Sequence, residues 1–179
     1  MISKSQYKEY CRKAYRIAKE HGFHEEEKSD AHFMCLVICE MCEAVEADRK
    51  SQRSDVLGFR NDSIHDYEDC YKYFIKGSLE EEFADICIRI FDLAYTKYGE
   101  EVDFVEWSAN RNDSELLFTE RAMSFIRWAS AEKVDQGTLS LLVFYLYRWA
   151  ESLNIDLDWH IEAKMKYNEM RIYKHGKKY

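Results

Sequence analysis

Hydrophobic residues recur at every third or fourth position over several long stretches of the chain, the spacing that places them on one face of an α-helix. Gly22 ends the first stretch, in which the apolar positions are Tyr7, Tyr10, Cys11, Ala14, Ile17 and Ala18. The start of another helix is indicated by Ser78, which is followed three positions later by Glu81, as in a capping box. The pattern predicts four core helices, over about 5–21, 30–49, 79–98 and 156–173.

Two segments lie between these helices. Residues 50–78 are polar and mixed, and we interpret them as a long connection with at most one short helix. Residues 100–152 contain an amphipathic helical segment, SELLFTERAMSFIRWASAE, and a second one, TLSLLVFYLYRWAESL, apolar enough to be largely buried or to pack between subunits. The sequence shows no convincing alternating strand and has no proline. The prediction is an all-α fold in which residues 1–179 form one domain, with residues 100–152 as a helical insertion.

Composition limits the functions that such a fold can serve. The chain has 179 residues, is 46% hydrophobic and carries a formal net charge of −8, so nucleic-acid binding through a generally basic surface is disfavoured. No apolar run approaches the ~20 residues of a membrane span, and the polar start of the chain does not resemble a secretory signal. The six cysteines form no framework typical of secreted domains. We therefore expect a cytoplasmic protein with neither a nucleic-acid nor a membrane partner.

The segment CLVICEMCEAVEADRK, residues 35–50, offers two different ligand sets. Its cysteines, Cys35, Cys39 and Cys42, have the CxxxCxxC spacing of radical enzymes that carry an iron–sulfur cluster. Those enzymes hold the cluster on a loop of an α/β barrel, whereas this segment is a strong helix former without a turn residue. No second CxxC or His pair completes a zinc site around them. We expect the three cysteines to be packing residues.

The carboxylates of the same segment carry the stronger signal. On a helical wheel, Glu40 lies in the middle of the apolar face and Glu43 lies at its edge. An unpaired carboxylate in that position is costly to bury, so it must find a cation, share a proton or line a wet cleft.

The helix predicted over 79–98 repeats this arrangement with Glu82 and Asp85, which gives ExxE on one helix and ExxD on the other. Two antiparallel helices would turn the four carboxylates toward one point. Such an oxygen-rich site suits Mg²⁺ or Mn²⁺. The alternative is a salt bridge in which Arg89 neutralises Glu82 or Asp85.

The last predicted helix adds cationic and amide groups. Lys164, Asn168 and Arg171 lie on one face of it, and the chain then ends in KHGKKY. Positive side chains beside a carboxylate-held cation suit a polyphosphate. The alternative interpretation is a solvated basic helix end that complements the helix dipole.

Together these features resemble the MazG-like family of all-α nucleoside triphosphate pyrophosphohydrolases. The similar segments are LVICEMCEAVEADRK, LEEEFADICIRIFDLA and IDLDWHIEAKMKYNEMRIYKHGKKY. The family hallmark is ExxE, a connection and then ExxD, which Glu40, Glu43, Glu82 and Asp85 match. The resemblance implies that these four residues hold Mg²⁺, with Mn²⁺ as the alternative ion, and that any one of them acts as the catalytic base.

The end of the chain extends the resemblance. The pattern K…YN..R…HGKKY is similar to that of many members, and the family's phosphate and sugar ligands then correspond to Lys164, Asn168, Arg171 and Lys177. The implied reaction cleaves a nucleoside triphosphate between its α and β phosphates, giving a monophosphate and pyrophosphate. Because family members assemble as dimers or tetramers of helical bundles, a homodimer or homotetramer is also implied.

Two departures and two alternatives accompany this expectation. The connection from Glu43 to Glu82 is longer than in the family, and residues 100–152 stand between segments that commonly lie close together. One alternative is a non-catalytic interaction protein that keeps the helical bundle. The other, a di-iron carboxylate bundle, would need a His three residues after a Glu, and neither carboxylate segment has one.

Overall fold

The computed structural model describes residues 1–108 and 115–176, and all regular structure within these two ranges is helical. This agrees with the predicted all-α class. The helices are α1 (Lys4–Glu20), α2 (Asp30–Arg49), α3 (Val56–Asn61), α4 (Tyr67–Phe74), α5 (Leu79–Tyr98), α6 (Phe118–Ala129), α7 (Gln136–Ser152) and α8 (Leu157–Met170). Short 3₁₀ turns cover Gly99–Glu101 and Tyr173–Gly176. None of the helices described here combines the length and apolar content that crossing a membrane requires.

Short polar side chains fix where most of these helices begin. At each such start a Ser or Asp oxygen accepts a hydrogen bond from a backbone N–H in the first turn, which contributes about 1 kcal/mol per helix. The capping residues are Ser3, Ser29, Asp55, Asp66, Ser78, Asp135 and Asp156. At the other end of α1, Gly22 has a φ of +81°, a left-handed conformation that costs glycine little.

Helix α5 is the centre of the core. It packs against α1, α2, α7 and α8, and its buried residues include Phe83, Ile86 and Ile90. Helices α2 and α5 run antiparallel, because Asp30 at the start of α2 pairs with Lys97 near the end of α5 while Glu40 pairs with Arg89. This geometry is the one that the two carboxylate motifs require in order to meet.

The segment predicted as an insertion packs onto this core rather than standing apart from it. Its apolar helix, α7, is largely buried within the same chain, so of the two predicted environments the intramolecular one is observed. The Trp149 ring lies 5.1 Å from that of Phe83 and 4.5 Å from that of Phe118, between centroids. Helix α6 packs against α2 and α7. The segment therefore covers a face of the core that would otherwise expose aromatic side chains.

The connection between α2 and α5 contains two short helices, whereas we expected no more than one. The caps Asp55 and Asp66 start α3 and α4, and the N–H of Asp55 donates to the carbonyl of Phe74 at 2.9 Å. Tyr71 of α4 stacks on Tyr167 of α8 with 4.4 Å between ring centroids. The connection is thus anchored to α8, and it delivers Lys76 and Gly77 to the start of α5.

Two further expectations differ from the structure. Helix α8 ends at Met170, three residues before the predicted end, because Arg171 has extended backbone angles, with ψ at 158°. Cys35, Cys39 and Cys42 are exposed, so the expectation that they pack in the interior is wrong. They lie on the face of α2 opposite the carboxylates, as the helical wheel places them. The buried cysteines are Cys11, Cys70 and Cys87.

Candidate functional site

Carboxylates from α2 and α5 meet where these two helices pack. Glu40 and Glu82 are buried, Asp85 is half-buried, and oxygen atoms of the three residues lie within 4.8 Å of one another. We call Glu40, Glu82 and Asp85 the carboxylate triad. Glu43 is exposed and lies outside this group, although it lines the same cavity. The structure therefore brings three of the four predicted ligands to one point and places the fourth at the solvent side.

The cavity beside the triad has a volume of about 350 Å³. Its lining includes the four carboxylates together with residues of α8. The apolar side chains of Ile17, Phe33, Leu36 and Ile88 line it as well. A cavity lined by both charged and apolar side chains fits a ligand that itself has a charged part and a flat, weakly polar part.

Two cations, the half-buried Arg89 and the buried Lys164, pair with part of the triad. Arg89 donates to Glu40, with 2.5 Å between its Nε and Oε1. The Nζ of Lys164 lies 2.7 Å from Oδ2 of Asp85 and 2.5 Å from Oε1 of Glu81. Burial alone would lower the pKa of Lys164, but Asp85 and Glu81 outweigh burial and raise it, so the amine keeps its proton.

Glu82 is the triad member without a cation. Within residues 1–108 and 115–176, no basic group lies within 4 Å of its carboxylate. Burial, and after it the charge of Asp85, raise the pKa of Glu82 to about 9. The pKa of Glu40 is also raised, first by burial and then by Asp85, against the opposing effect of Arg89. Ionisation of all three triad carboxylates would thus leave more negative charge than the neighbouring cations neutralise, and the raised pKa values express that cost.

This arrangement fits a hard divalent cation. All the donor atoms are carboxylate oxygens, which Mg²⁺ and Mn²⁺ prefer, and a bound ion would favour the ionised form of Glu82, which burial and the charge of Asp85 disfavour. The salt bridge predicted as the alternative forms with different partners. Arg89 pairs with Glu40, and Lys164 pairs with Asp85. The second motif therefore has a cation beside Asp85 and none beside Glu82.

The row of polar residues on α8 faces the same cavity. We call Lys164, Asn168 and Arg171 the α8 polar row, and all three line the cavity. Asn168 is 7% exposed, and its Oδ1 is a buried acceptor with no hydrogen-bond partner among the described residues. Arg171 lies over the ring of Tyr167 at 5.6 Å and donates to the carbonyl of His175 at 3.3 Å. Lys177, the fourth residue predicted to bind phosphate or sugar, lies outside the described residues.

A histidine–aspartate pair lies beside Phe33, one of the apolar residues that line the cavity. Nε2 of His24 is 2.7 Å from Oδ1 of Asp92, and Asp92 lines the cavity one turn beyond Arg89. Burial raises the pKa of Asp92, while the hydrogen bond with His24 acts in the opposite direction. Of the two residues, Asp92 is the one that lines the cavity and can present a polar group to a ligand.

Sequence reasoning missed Glu81, which holds Lys164 in place. The capping-box pattern assigned its side chain to the helix start, and the N–H of Glu81 does donate to Ser78 Oγ at 3.2 Å. Its carboxylate, however, accepts from the N–H of Gly77 and pairs with Lys164. The run of three consecutive glutamates was the available signal, because only one of them was needed for a cap. The loop residues Phe23 and Lys28 also line the cavity, and they follow no periodic pattern.

Comparisons with known proteins do not extend this description: no family model, no curated protein and no solved structure matches the chain. The cavity and the residues that line it are therefore the features of the molecule that point to a function.

Proposed function

We propose that this chain is a Mg²⁺-dependent nucleoside triphosphate pyrophosphohydrolase of the MazG-like type, which converts an NTP or dNTP to the monophosphate and pyrophosphate. The observation that carries the proposal is a single cavity in which the carboxylate triad faces the α8 polar row. A cation bound by carboxylates next to fixed basic and amide groups is the arrangement that polyphosphate binding requires.

The triad supplies the metal ligands in this proposal. When bound, Mg²⁺ or Mn²⁺ would offset negative charge on the phosphates and lower the pKa of a water molecule bound to the ion. Glu82 is the ligand with most to gain, because it is buried and has no basic partner among the described residues. Glu43 is exposed at the solvent side of the cavity, and no basic group described lies within 4 Å of it. We assign Glu43 to accept the proton of the attacking water.

The α8 polar row and the apolar side chains of the lining divide the substrate between them. Lys164 and Arg171 place positive charge where the phosphates would lie. The Oδ1 of Asn168, which has no partner among the described residues, is an acceptor suited to a sugar hydroxyl. The side chains of Phe33 and Leu36 receive the base, and Asp92, which also lines the cavity, offers a polar group to its edge.

The first experiment is a panel of NTPs and dNTPs incubated with the full chain and Mg²⁺ or Mn²⁺. We expect metal-dependent formation of nucleoside monophosphate and pyrophosphate, separated by ion-exchange chromatography from the diphosphate and phosphate that the other cleavage would give. Asp85→Asn, which keeps the Glu81–Lys164 pair, should lower turnover by at least about 100-fold. Folded protein that is silent across the whole panel with both metals would contradict the proposal.

A non-catalytic helical scaffold is the second candidate, and one observation favours it. Arg89 and Lys164 already pair with two of the three triad carboxylates, as they would in a core closed by internal ion pairs. The two candidates differ in their response to metal. A scaffold predicts no change in the melting temperature with Mg²⁺, whereas a metal site predicts a rise that disappears in Glu82→Gln.

The homodimer or homotetramer implied by the resemblance remains part of the proposal. Light scattering coupled to size-exclusion chromatography measures the mass directly, and a chain of 21.5 kDa distinguishes these states clearly. A monomer at the concentrations used for the activity panel would remove oligomerisation from the proposal without affecting the site.

A further inference from the structure

Three chemically different metal-binding groups meet in the connection between α2 and α5, outside the cavity. Ligand atoms of Asp62, His65 and Cys70 all lie within 4.8 Å of one another. Asp62 directly follows α3, Cys70 belongs to α4, and His65 is in the turn between these helices. None of the three lines the carboxylate cavity. The group is therefore separate from the proposed catalytic site.

Backbone hydrogen bonds fix the carboxylate of this group. Oδ1 of Asp62 accepts from the N–H groups of Ile64 and His65, each at 2.9 Å. Its second oxygen, Oδ2, lies 2.9 Å from Nδ1 of His65. One ligand oxygen and one ligand nitrogen are thus already side by side, and the two backbone hydrogen bonds to Oδ1 hold the carboxylate in place.

The third donor, Cys70, lies on the buried side of the group. Cys70 is buried, with its Sγ 3.6 Å from the backbone carbonyl of His65. The side chain of Asp62 is 12% exposed and that of His65 is 57% exposed. The chain covers one side of the group, and the imidazole side is open to solvent, so an ion and a water molecule can reach it.

The donor set distinguishes between metals. One carboxylate oxygen, one imidazole nitrogen and one thiolate sulfur suit Zn²⁺, whereas Mg²⁺ takes oxygen ligands alone. Around a tetrahedral zinc the ligand atoms stand about 3.4–3.7 Å apart, so atoms within 4.8 Å of one another need only small side-chain rotations. Asp66 and Asp69 add negative charge nearby.

We propose that Asp62, His65 and Cys70 form a zinc site, with a water molecule in the fourth position. On binding, the thiol of Cys70 releases its proton to solvent and the sulfur becomes a ligand. His65 Nδ1 also gives up the proton that it shares with Asp62 Oδ2, and the imidazole binds in its neutral form with the proton on Nε2. The ion then joins the end of α3 to α4. Because the chain continues from α4 to Lys76 and Gly77 at the cavity wall, the zinc fixes the connection that leads to the start of α5.

Cobalt titration of the chelator-treated full chain tests this site, because thiolate coordination gives a near-ultraviolet charge-transfer absorption. We expect one Co²⁺ per chain with this absorption, displaced by one equivalent of Zn²⁺. Cys70→Ser removes the absorption. His65→Ala, a change at an exposed position that leaves the fold intact, weakens binding by at least about tenfold. It also removes the zinc-dependent rise in melting temperature.

Two control variants separate this site from the other candidate ligands. A variant with serine at Cys35, Cys39 and Cys42 lacks the exposed thiols and should keep the absorption. Glu82→Gln lacks a triad ligand and should keep it as well. No charge-transfer absorption in the wild type overturns the proposal, and so does absorption that survives in both Cys70→Ser and His65→Ala. Neither result bears on the nucleotide proposal, which the panel of substrates tests separately.

Discussion

Helix α5 is built differently on its two sides. Toward α7 it presents aromatic and aliphatic residues such as Phe83, which is fully buried against Trp149. Toward the cavity it presents Glu82, Asp85 and Arg89. Both sides are largely removed from water, yet only the first gains free energy from that burial.

The difference shows how one helix serves stability and function together. Buried apolar area on the α7 side stabilises the fold, while buried charge on the cavity side costs stability unless a cation pairs with it. Arg89 and Lys164 offset that cost for Glu40 and Asp85, and the cost remains at Glu82. The apolar side and the cavity side should therefore respond differently to substitution, and four measurements compare them.

The largest loss of stability is expected from Phe83→Ala on the apolar side. Removal of a fully buried ring beside Trp149 should lower the free energy of unfolding by about 3–5 kcal/mol, because it removes apolar contacts and leaves a cavity. Urea denaturation measures the change. Leu117→Ala, at a side chain that is 68% exposed, is the matched control and should change it by less than about 0.5 kcal/mol. Equal losses in both variants would show that α7 does not cover this face.

A smaller effect of mixed sign is expected on the cavity side. Glu40→Gln leaves the guanidinium of Arg89 without its carboxylate and should destabilise the fold by about 1–3 kcal/mol. Glu82→Gln replaces a buried carboxyl group that has no cationic partner among the described residues and stays protonated below about pH 9, so the metal-free protein should be at least as stable as the wild type. Thermal unfolding in the presence of a chelator compares the two. If Glu82→Gln is the less stable variant, the charge imbalance assigned to the triad is wrong.

The third measurement is pH dependence, which follows from the raised pKa of Glu82. The folded protein holds this proton up to about pH 9, whereas the unfolded chain releases it near 4.5, so Glu82 makes stability fall as pH rises between these values. The melting temperature with chelator should decline more steeply in the wild type than in Glu82→Gln across this range. Mg²⁺ should restore more stability at the alkaline end, where it need not displace the proton. Parallel curves for the two proteins would contradict this.

The smallest effect is expected at the outer end of the α8 polar row. Arg171 is half-buried and makes one hydrogen bond to a carbonyl, so its positive charge can turn toward a phosphate. Arg171→Gln should raise KM by about fivefold, equivalent to about 1 kcal/mol, with kcat little changed. Arg16→Gln removes an exposed arginine that pairs with Glu169, and it should leave KM unchanged. A fall in kcat with constant KM would instead assign Arg171 to the transition state.

Periodicity predicted the parts of the site that lie on long helices. The positions of Glu40 and Glu82 on apolar faces follow from helix geometry alone, and α2 has the predicted bounds, Asp30–Arg49. The polar face of α8 was predicted from helical spacing in the same way. These features are local, because a helix fixes the direction of each side chain relative to its own neighbours.

The features of the site that the sequence did not predict depend on contacts between residues that are far apart along the chain. The pairing of Arg89 with Glu40 rather than with Glu82 or Asp85 is set by the register of α2 against α5, which no single helix encodes. The insertion of Lys164 between Glu81 and Asp85 depends on how α8 crosses α5. The Asp62–His65–Cys70 group arises from a turn between two short helices that the sequence pattern did not resolve.

The exposed thiols of α2 provide a way to observe the cavity without altering it. Cys39 lies on the outer surface of the helix whose inner surface carries Glu40, and a helix with its side chains is only about 10–12 Å across. After replacement of Cys35 and Cys42 by serine, a nitroxide label would react selectively at Cys39, since the other three thiols are buried. Paramagnetic Mn²⁺ bound by the triad would then broaden the signal of the label. The broadening would report whether the cavity holds the ion and how far the ion lies from the label.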